Sequence, residues 1–359
     1  GTAARHYTAG MLGQLPVPDV RTLGSLSELS WKTADLFLND SCNLETSTLF
    51  ARIPLDLNQA NTLRKVAELS LRDAEERLLQ AIEYSWELEK TITNLLNVPL
   101  EDVFRVTGPH PGSYPVNTAT DEQIRLLYNQ GIEQLIESVA NKIGSSRQIV
   151  VKSYVADRRL ELVAHALSIQ PREIVDARRR QQLVPEELVE EMRQTLISLA
   201  VGLAFGLSLS LQKSNLLAES LASDPSHRVA PFILSNPLHS ILVDDPGSPS
   251  DIVNAIEQAW TVSFGGQRHK LFEEIFGGNP RRYVRKELFK DHLSRFSMHR
   301  RSAPIYWPIC SESGAYTLWI CYHRFTRDTL YLILREFVLP RIQEAEREQF
   351  ALESRGALS

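Results

Sequence analysis

The sequence predicts a mainly α-helical chain that carries one β-hairpin near its C-terminus, packed on helices. Three observations lead there. From Asn58 to Leu96 no proline or glycine occurs, and helix-forming residues dominate. Two short runs, Ala303–Cys310 and Ala315–Tyr322, are rich in Ile, Tyr and Trp and are joined by the turn-forming Ser311-Glu312-Ser313-Gly314. Several further stretches show helical apolar patterning between breaks rich in proline and glycine.

Taken in order, residues 1–20 read as the irregular end of a larger unit, 21–115 as a long helical spacer, and 116–215 as a helical bundle. Residues 216–359 read as a C-terminal domain with a basic segment, the hairpin and a closing helix. In the spacer, Leu71, Ala74, Leu78, Ala81, Ser85, Leu88, Ile92 and Leu95 recur at alternating intervals of three and four, which predicts the buried seam of an amphipathic helix. Gly108-Pro109-His110-Pro111-Gly112-Ser113-Tyr114-Pro115 breaks the helical pattern. A new helix is expected near Thr120, with Asp121 and Glu122 in its first turn. Pro171 suits the first turn of another, which ends in Arg178-Arg179-Arg180. Consecutive arginines point around a helix, so a solvated face is expected there in preference to a phosphate clamp.

Pro185-Glu186-Glu187 opens a helix that runs into an uncharged stretch as far as Leu211. Gly202 and Gly206 give it a small-xxx-small spacing, yet its serines and the lack of flanking aromatics predict a buried core helix and no membrane span. Asp244-Asp245-Pro246-Gly247 reads as a structural turn; paired aspartates could hold a metal, but no third ligand stands at a suitable spacing. With the turn centred on Glu312-Ser313, the hairpin would pair Cys310 with Ala315, Tyr306 with Trp319 and Ile305 with Ile320. One face would carry Ile305, Trp307, Ile309, Tyr316, Leu318, Ile320 and Tyr322, the other Tyr306, Cys310, Thr317, Trp319 and Cys321. Neither face is polar, so both need cover or one takes a ligand, with Tyr306 and Trp319 the aromatic surface candidates.

Net charge is −5, which argues against indiscriminate coating of nucleic acid and confines any contact to a local patch. One such patch exists. Between residues 281 and 301 lie Arg281, Arg282, Arg285, Lys286, Lys290, Arg295, Arg300 and Arg301, interleaved with Tyr283, Phe289 and Phe296. Arginine can grip phosphate through two donors and aromatics can stack, so these eight cations are the DNA-binding candidates. The alternative is a basic helix neutralised by acidic neighbours such as the Glu-rich C-terminal tail. The three cysteines, Cys42, Cys310 and Cys321, show no zinc-ligand spacing and fit a reducing cytoplasm. No phosphate-binding loop or nucleophile motif is present, and no catalytic, cofactor-binding or metal-binding residue is assigned. His323 is the single histidine with an arguable role.

The segment S-R-F-S-M-H-R-R-S-A-P-I-Y-W, followed by S-G-A-Y-T-L-W-I-C-Y-H-R-F-T-R-D-T-L-Y, resembles the C-terminal signature of large adenine-specific DNA methyltransferases. These are the PglX-type enzymes of BREX and DISARM phage defence and their single-chain restriction–modification relatives. Their pattern is Y-S-K-S-R-R-K-A-P-I-Y-W and then Y-x-x-W-x-x-Y-H-R. Here Phe296 stands for the Tyr, Met298-His299 for Lys-Ser, and Ser302 for the Lys. Tyr7 to Pro18 is similar to the phrase that closes the target-recognition domain in that family, and Asp244-Asp245-Pro246-Gly247 also has a counterpart there. The buried helix resembles the family's A-V-G-x-x-F-G-R, with Leu207 replacing the Arg.

The resemblance implies a non-catalytic C-terminal part of an N6-adenine DNA methyltransferase, bracing target recognition and holding double-stranded DNA. The S-adenosylmethionine fold and the N-P-P-Y-type base-flipping loop are not in this sequence; Ser235-Asn236-Pro237-Leu238 and Gly278-Asn279-Pro280-Arg281 share only an Asn-Pro. Together with the start at Gly1, this reads as a fragment whose partners are DNA and a missing methyltransferase domain or other defence-system subunits. S-adenosylmethionine would serve the whole enzyme. The other reading is a helical interaction scaffold that binds a partner through the hairpin and never touches DNA.

Overall fold

The computed structural model describes residues 24–43, 60–107, 109–116, 119–143, 159–206, 241–265, 269–296, 305–354 and 356. The chain is mostly helical with a small antiparallel sheet, as its patterning predicts. It divides into two compact units, one built from 1–55, 64–190 and 212–224, the other from 56–63, 191–211 and 225–359.

The first unit holds α1 (Gly24–Asn43), nearly all of α2 (Leu63–Leu95), α3 (Leu100–Thr107), α4 (Asp121–Tyr128), α5 (Ile132–Ile143), α6 (Arg159–Leu167) and α7 (Pro171–Gln181). Leu78, Leu79 and Ile82 of α2 share one core with Ile124, Leu135, Val163 and Ile174, so the spacer helix packs with the first part of the bundle, whose residues 191–211 belong to the other unit. Local rules set the helix ends. Thr120 and Gln123 form a reciprocal capping box at the start of α4. Pro171 occupies the first turn of α7, and Gln182 ends that helix in the left-handed region. The proline-glycine break is packed: His110 stacks on Trp86 at 5.7 Å, and Tyr114 bonds His165 at 2.7 Å.

Two expectations for this unit need correction. The seam of α2 rotates: Ile92 is exposed, while Glu75, Leu79, Ile82 and Thr93 are buried. The cause is a buried charge. Glu75, 3 % exposed, pairs with Arg178, 2 % exposed, at 2.6 Å, and also accepts from the Tyr128 hydroxyl. The arginine triplet is therefore only in part the expected solvated face, with Arg178 buried, Arg179 half-buried and Arg180 exposed. Its members fan out to three carboxylates: Arg178 to Glu75, Arg179 to Glu76 and Arg180 to Asp121. Arg159 is likewise buried and donates to the Tyr128 carbonyl at 2.6 Å. Arg147, Lys152 and Arg158 lie outside the described residues.

The second unit begins with most of α8 (Glu186–Ala204). Leu196, Ile197, Leu199, Ala200, Val201, Ala204 and Phe205 are buried there, so the uncharged stretch is a core helix as far as it is described. No described helix is long and apolar enough to cross a membrane. Then follow β1 (Ile241–Val243), α9 (Ile252–Phe264), α10 (His269–Ile275), α11 (Pro280–Lys286), α12 (Leu288–Phe296), β2 (Tyr306–Cys310) and β3 (Thr317–Cys321). A last helical run joins α13 (Thr329–Leu332), a π-helical segment (Ile333–Val338) and α14 (Leu339–Ser354).

The hairpin forms with the expected faces but a register two residues further on: Tyr306 pairs with Cys321, Trp307 with Ile320 and Cys310 with Thr317. The Gly314 N–H bonds the Ser311 carbonyl at 2.9 Å, and the Ser311 hydroxyl takes the Tyr316 N–H at 3.1 Å. Residues 312–315 thus form the loop, with Gly314 at φ 69°. A slip of two leaves each side chain on its own face. The sheet gains an unforeseen third strand, because β1 pairs with β3 in the order β1-β3-β2. Ile333, Phe337 and Val338 cover Ile241, Val243, Leu318 and Ile320. Trp307 and Ile309 on that same face stay 44 % exposed. The edge of β2 is blunted, since Pro308 has no N–H and the Tyr306 N–H is held by a histidine.

Breaking the Glu75–Arg178 pair from one side strands a buried charge, so Arg178→Ala is expected to cost about 3–5 kcal/mol of unfolding free energy. Replacing both residues together, as Glu75→Leu with Arg178→Met, should recover most of it. Urea titration of the three variants checks this.

Candidate nucleic-acid interface

The basic stretch starts on a sharp corner. Gly277 and Gly278 both take positive φ, 60° and 74°, which turns the chain between α10 and α11. Asn279 then caps α11 by accepting the Arg282 N–H at 2.9 Å, and Pro280 sits in the first turn. Arg281 is thereby aimed at the turn after β1.

That turn carries two buried carboxylates. Asp251, 0 % exposed, caps α9 through the Asn254 N–H at 3.1 Å and accepts the Asp245 N–H at 3.2 Å. Asp244 donates its own N–H to the Thr317 carbonyl at 2.9 Å, fastening the turn to β3. Arg281 reaches both side chains, Asp244 at 2.5 Å and Asp251 through two bonds of 2.9 and 2.8 Å. Arg285 closes the group on Asp244. The hydrogen bond to Asp251 holds the Arg281 guanidinium above its already high range, so it stays charged. Asp244-Asp245-Pro246-Gly247 is the structural turn that its composition predicts: Asp244 serves the ion-pair network, and Asp245 accepts the Gly247 N–H at 3.1 Å.

The eight candidate cations therefore separate. Arg281 and Arg285 bind buried carboxylates. Arg295 is half-buried and donates to the Thr195 hydroxyl at 3.3 Å. Arg282, Lys286 and Lys290 are exposed and have no carboxylate partner among the described residues. They follow one another at intervals of four along α11 and α12. Arg300 and Arg301 lie outside the described residues. Tyr306 and Trp319, expected as surface aromatics, are only 1 % and 2 % exposed and belong to the interior. Tyr306 stacks on Phe205 at 4.7 Å, and Trp319 meets Phe289 edge-on at 6.3 Å. Their face of the hairpin needed cover, and α8 and α12 supply it.

A second buried group was not legible in advance. His292 of α12 accepts the Ile305 N–H at 2.9 Å and the Tyr306 N–H at 3.2 Å on the same Nε2. It clamps the start of β2. The acceptor role requires a neutral ring with the proton on Nδ1. Burial first, and the nearby Arg295 second, push its pKa down to about 4. Beside it lies a cavity of about 20 Å³ lined by Ser198, Asp291, His292, Arg295 and Tyr306, room for one water molecule and not for a cofactor. His323 sits in a short helical turn after β3. No cluster of potential metal ligands occurs among the described residues. No protein-family model and no curated protein matches this sequence.

Arg281→Ala leaves Asp251 buried without its cation and Asp244 with Arg285 alone, and a loss of about 3–5 kcal/mol is expected in denaturant unfolding. His292 gives a pH signature. Its folded pKa lies below the unfolded value of 6.5, so its contribution is complete above pH 6.5 and drains away as pH falls toward 4. Between pH 7 and 4.5 the wild-type chain should lose about 2.5 kcal/mol more than His292→Asn. Unfolding curves of both proteins at the two pH values measure the difference.

Proposed function

We propose that this chain is the DNA-bracing, non-catalytic C-terminal part of an adenine-specific DNA methyltransferase of the PglX type. The resemblance of residues 294–331 to the C-terminal signature of those enzymes supports the family. The row Arg282, Lys286 and Lys290 supports the contact: three exposed cations without a carboxylate partner among the described residues, the first two on α11, which Arg281 and Arg285 anchor, and the third on α12. Such a row meets phosphates and positions the duplex without reading its sequence. Methyl transfer, with S-adenosylmethionine, belongs to the catalytic domain of the whole enzyme. Binding of a duplex by the chain should weaken steeply with salt.

The triple substitution Arg282→Ala/Lys286→Ala/Lys290→Ala should flatten the plot of log affinity against log salt by roughly 2–3 units, about 0.9 per lost phosphate contact, with unfolding free energy unchanged. An unaltered slope would remove the row from any DNA interface. A helical interaction scaffold is the second reading, and one observation favours it: α14 buries none of its residues. Its contact surface would then be this C-terminal helix, since Tyr306 and Trp319 are interior.

A further inference from the structure

The last helical run ends in α14, which buries none of its residues. From Thr329 to Ser354 it continues without a break, α-helix through π-helix to α-helix, about 39 Å at 1.5 Å per residue. Its first part is anchored on the sheet by Ile333, Phe337 and Val338, whereas Leu339, Ile342, Phe350 and Leu352 are exposed. A polar helix of this length is marginal alone in water, and most helices gain stability from a packed face. Residues 342–354 carry four glutamates and one arginine, net −3.

The same unit displays a complementary surface. Trp307 and Ile309 form the uncovered half of the sheet face, opposite Ile320 and Leu318. Trp307 packs on Phe289 at 6.0 Å, and Phe289 is flanked in sequence by the exposed Lys286 and Lys290. With Arg282 the row amounts to three positive charges without carboxylate partners among the described residues. The arm continues the helix anchored at Ile333–Val338 and buries none of its residues, so it does not cover its own sheet. Strand addition at β2 is disfavoured by Pro308 and by the His292 clamp.

We propose that two copies of this chain exchange their C-terminal arms. Ile342 and Phe350 of one copy cover Trp307 and Ile309 of the other, while Glu346 and Glu353, on the same face of α14, meet Lys286 and Lys290. Opposite charges around an apolar centre are the arrangement that selects one partner and one orientation. Two-fold exchange makes the contact twice, which helps a slender arm toward the roughly 1,200–2,000 Å² that stable interfaces bury.

Sedimentation equilibrium of the intact chain at low salt, without DNA, tests the proposal. A concentration-dependent monomer–dimer equilibrium is expected. Lys286→Glu/Lys290→Glu and Glu346→Lys/Glu353→Lys should each weaken it on the order of tenfold or more. An equimolar mixture of the two variants should restore a heterodimer. All substituted side chains are exposed, and matching circular dichroism spectra exclude misfolding. A monomer throughout the micromolar range, a dimer indifferent to both reversals, or a mixture that fails to rescue overturns the proposal. No DNA enters the measurement, so either result leaves the duplex-binding reading to its own test.

Discussion

The second unit depends on two buried carboxylates held by a half-buried and an exposed guanidinium group. Asp244 ends β1 and is tied to β3, Asp251 starts α9, and Arg281 and Arg285 rise from α11. Taking these charges out of water is costly, and the cost is offset only while every partner stays in place. The cluster therefore fixes sheet, turn and helix in one relative geometry. It also explains why so basic a segment can sit against the interior: its inward arginines are already neutralised. Arg282 and Lys286 on the same helix, and Lys290 on α12, are left exposed.

His292 extends this constraint along α12. By accepting two consecutive N–H groups it fixes where β2 begins, while Phe289 on the same helix packs on Trp307 and Trp319. The hairpin is thus held from one side by uncharged packing and a neutral histidine, and from the other by the closing helix. Trp307 and Ile309, each 44 % exposed, and the arm beyond Val338 are the apolar parts of the unit that stay open to solvent.

Much of this was legible in the sequence, for reasons that particular residues show. Capping box, Pro171 and the uncharged run through Phe205 follow local rules and appear where those rules put them. The two faces of the hairpin were legible because side chains alternate with a period of two; the register was not, because Ser311 spends its hydroxyl on Tyr316 and lengthens the loop. Strand β1 has three residues, too few for a periodic signal. The partners of Arg178 and Arg281 were hidden for a different reason. Each lies more than 25 positions away in the chain, and no local pattern announces a buried ion pair. A charge run reads the same whether it faces water, phosphate or a carboxylate.

The central claim is that the basic stretch divides by role, with Arg281 and Arg285 structural and Arg282, Lys286 and Lys290 available to an anionic partner. Alanine substitution of these five residues one at a time, reading unfolding free energy and the salt slope of duplex affinity on each variant, tests it most directly. The account predicts two separate groups: Arg281 and Arg285 lower stability and leave the slope alone, and the other three do the reverse. A slope that depends on Arg281 or Arg285 in fully folded protein, or stability that depends on Lys286 or Lys290, would contradict it.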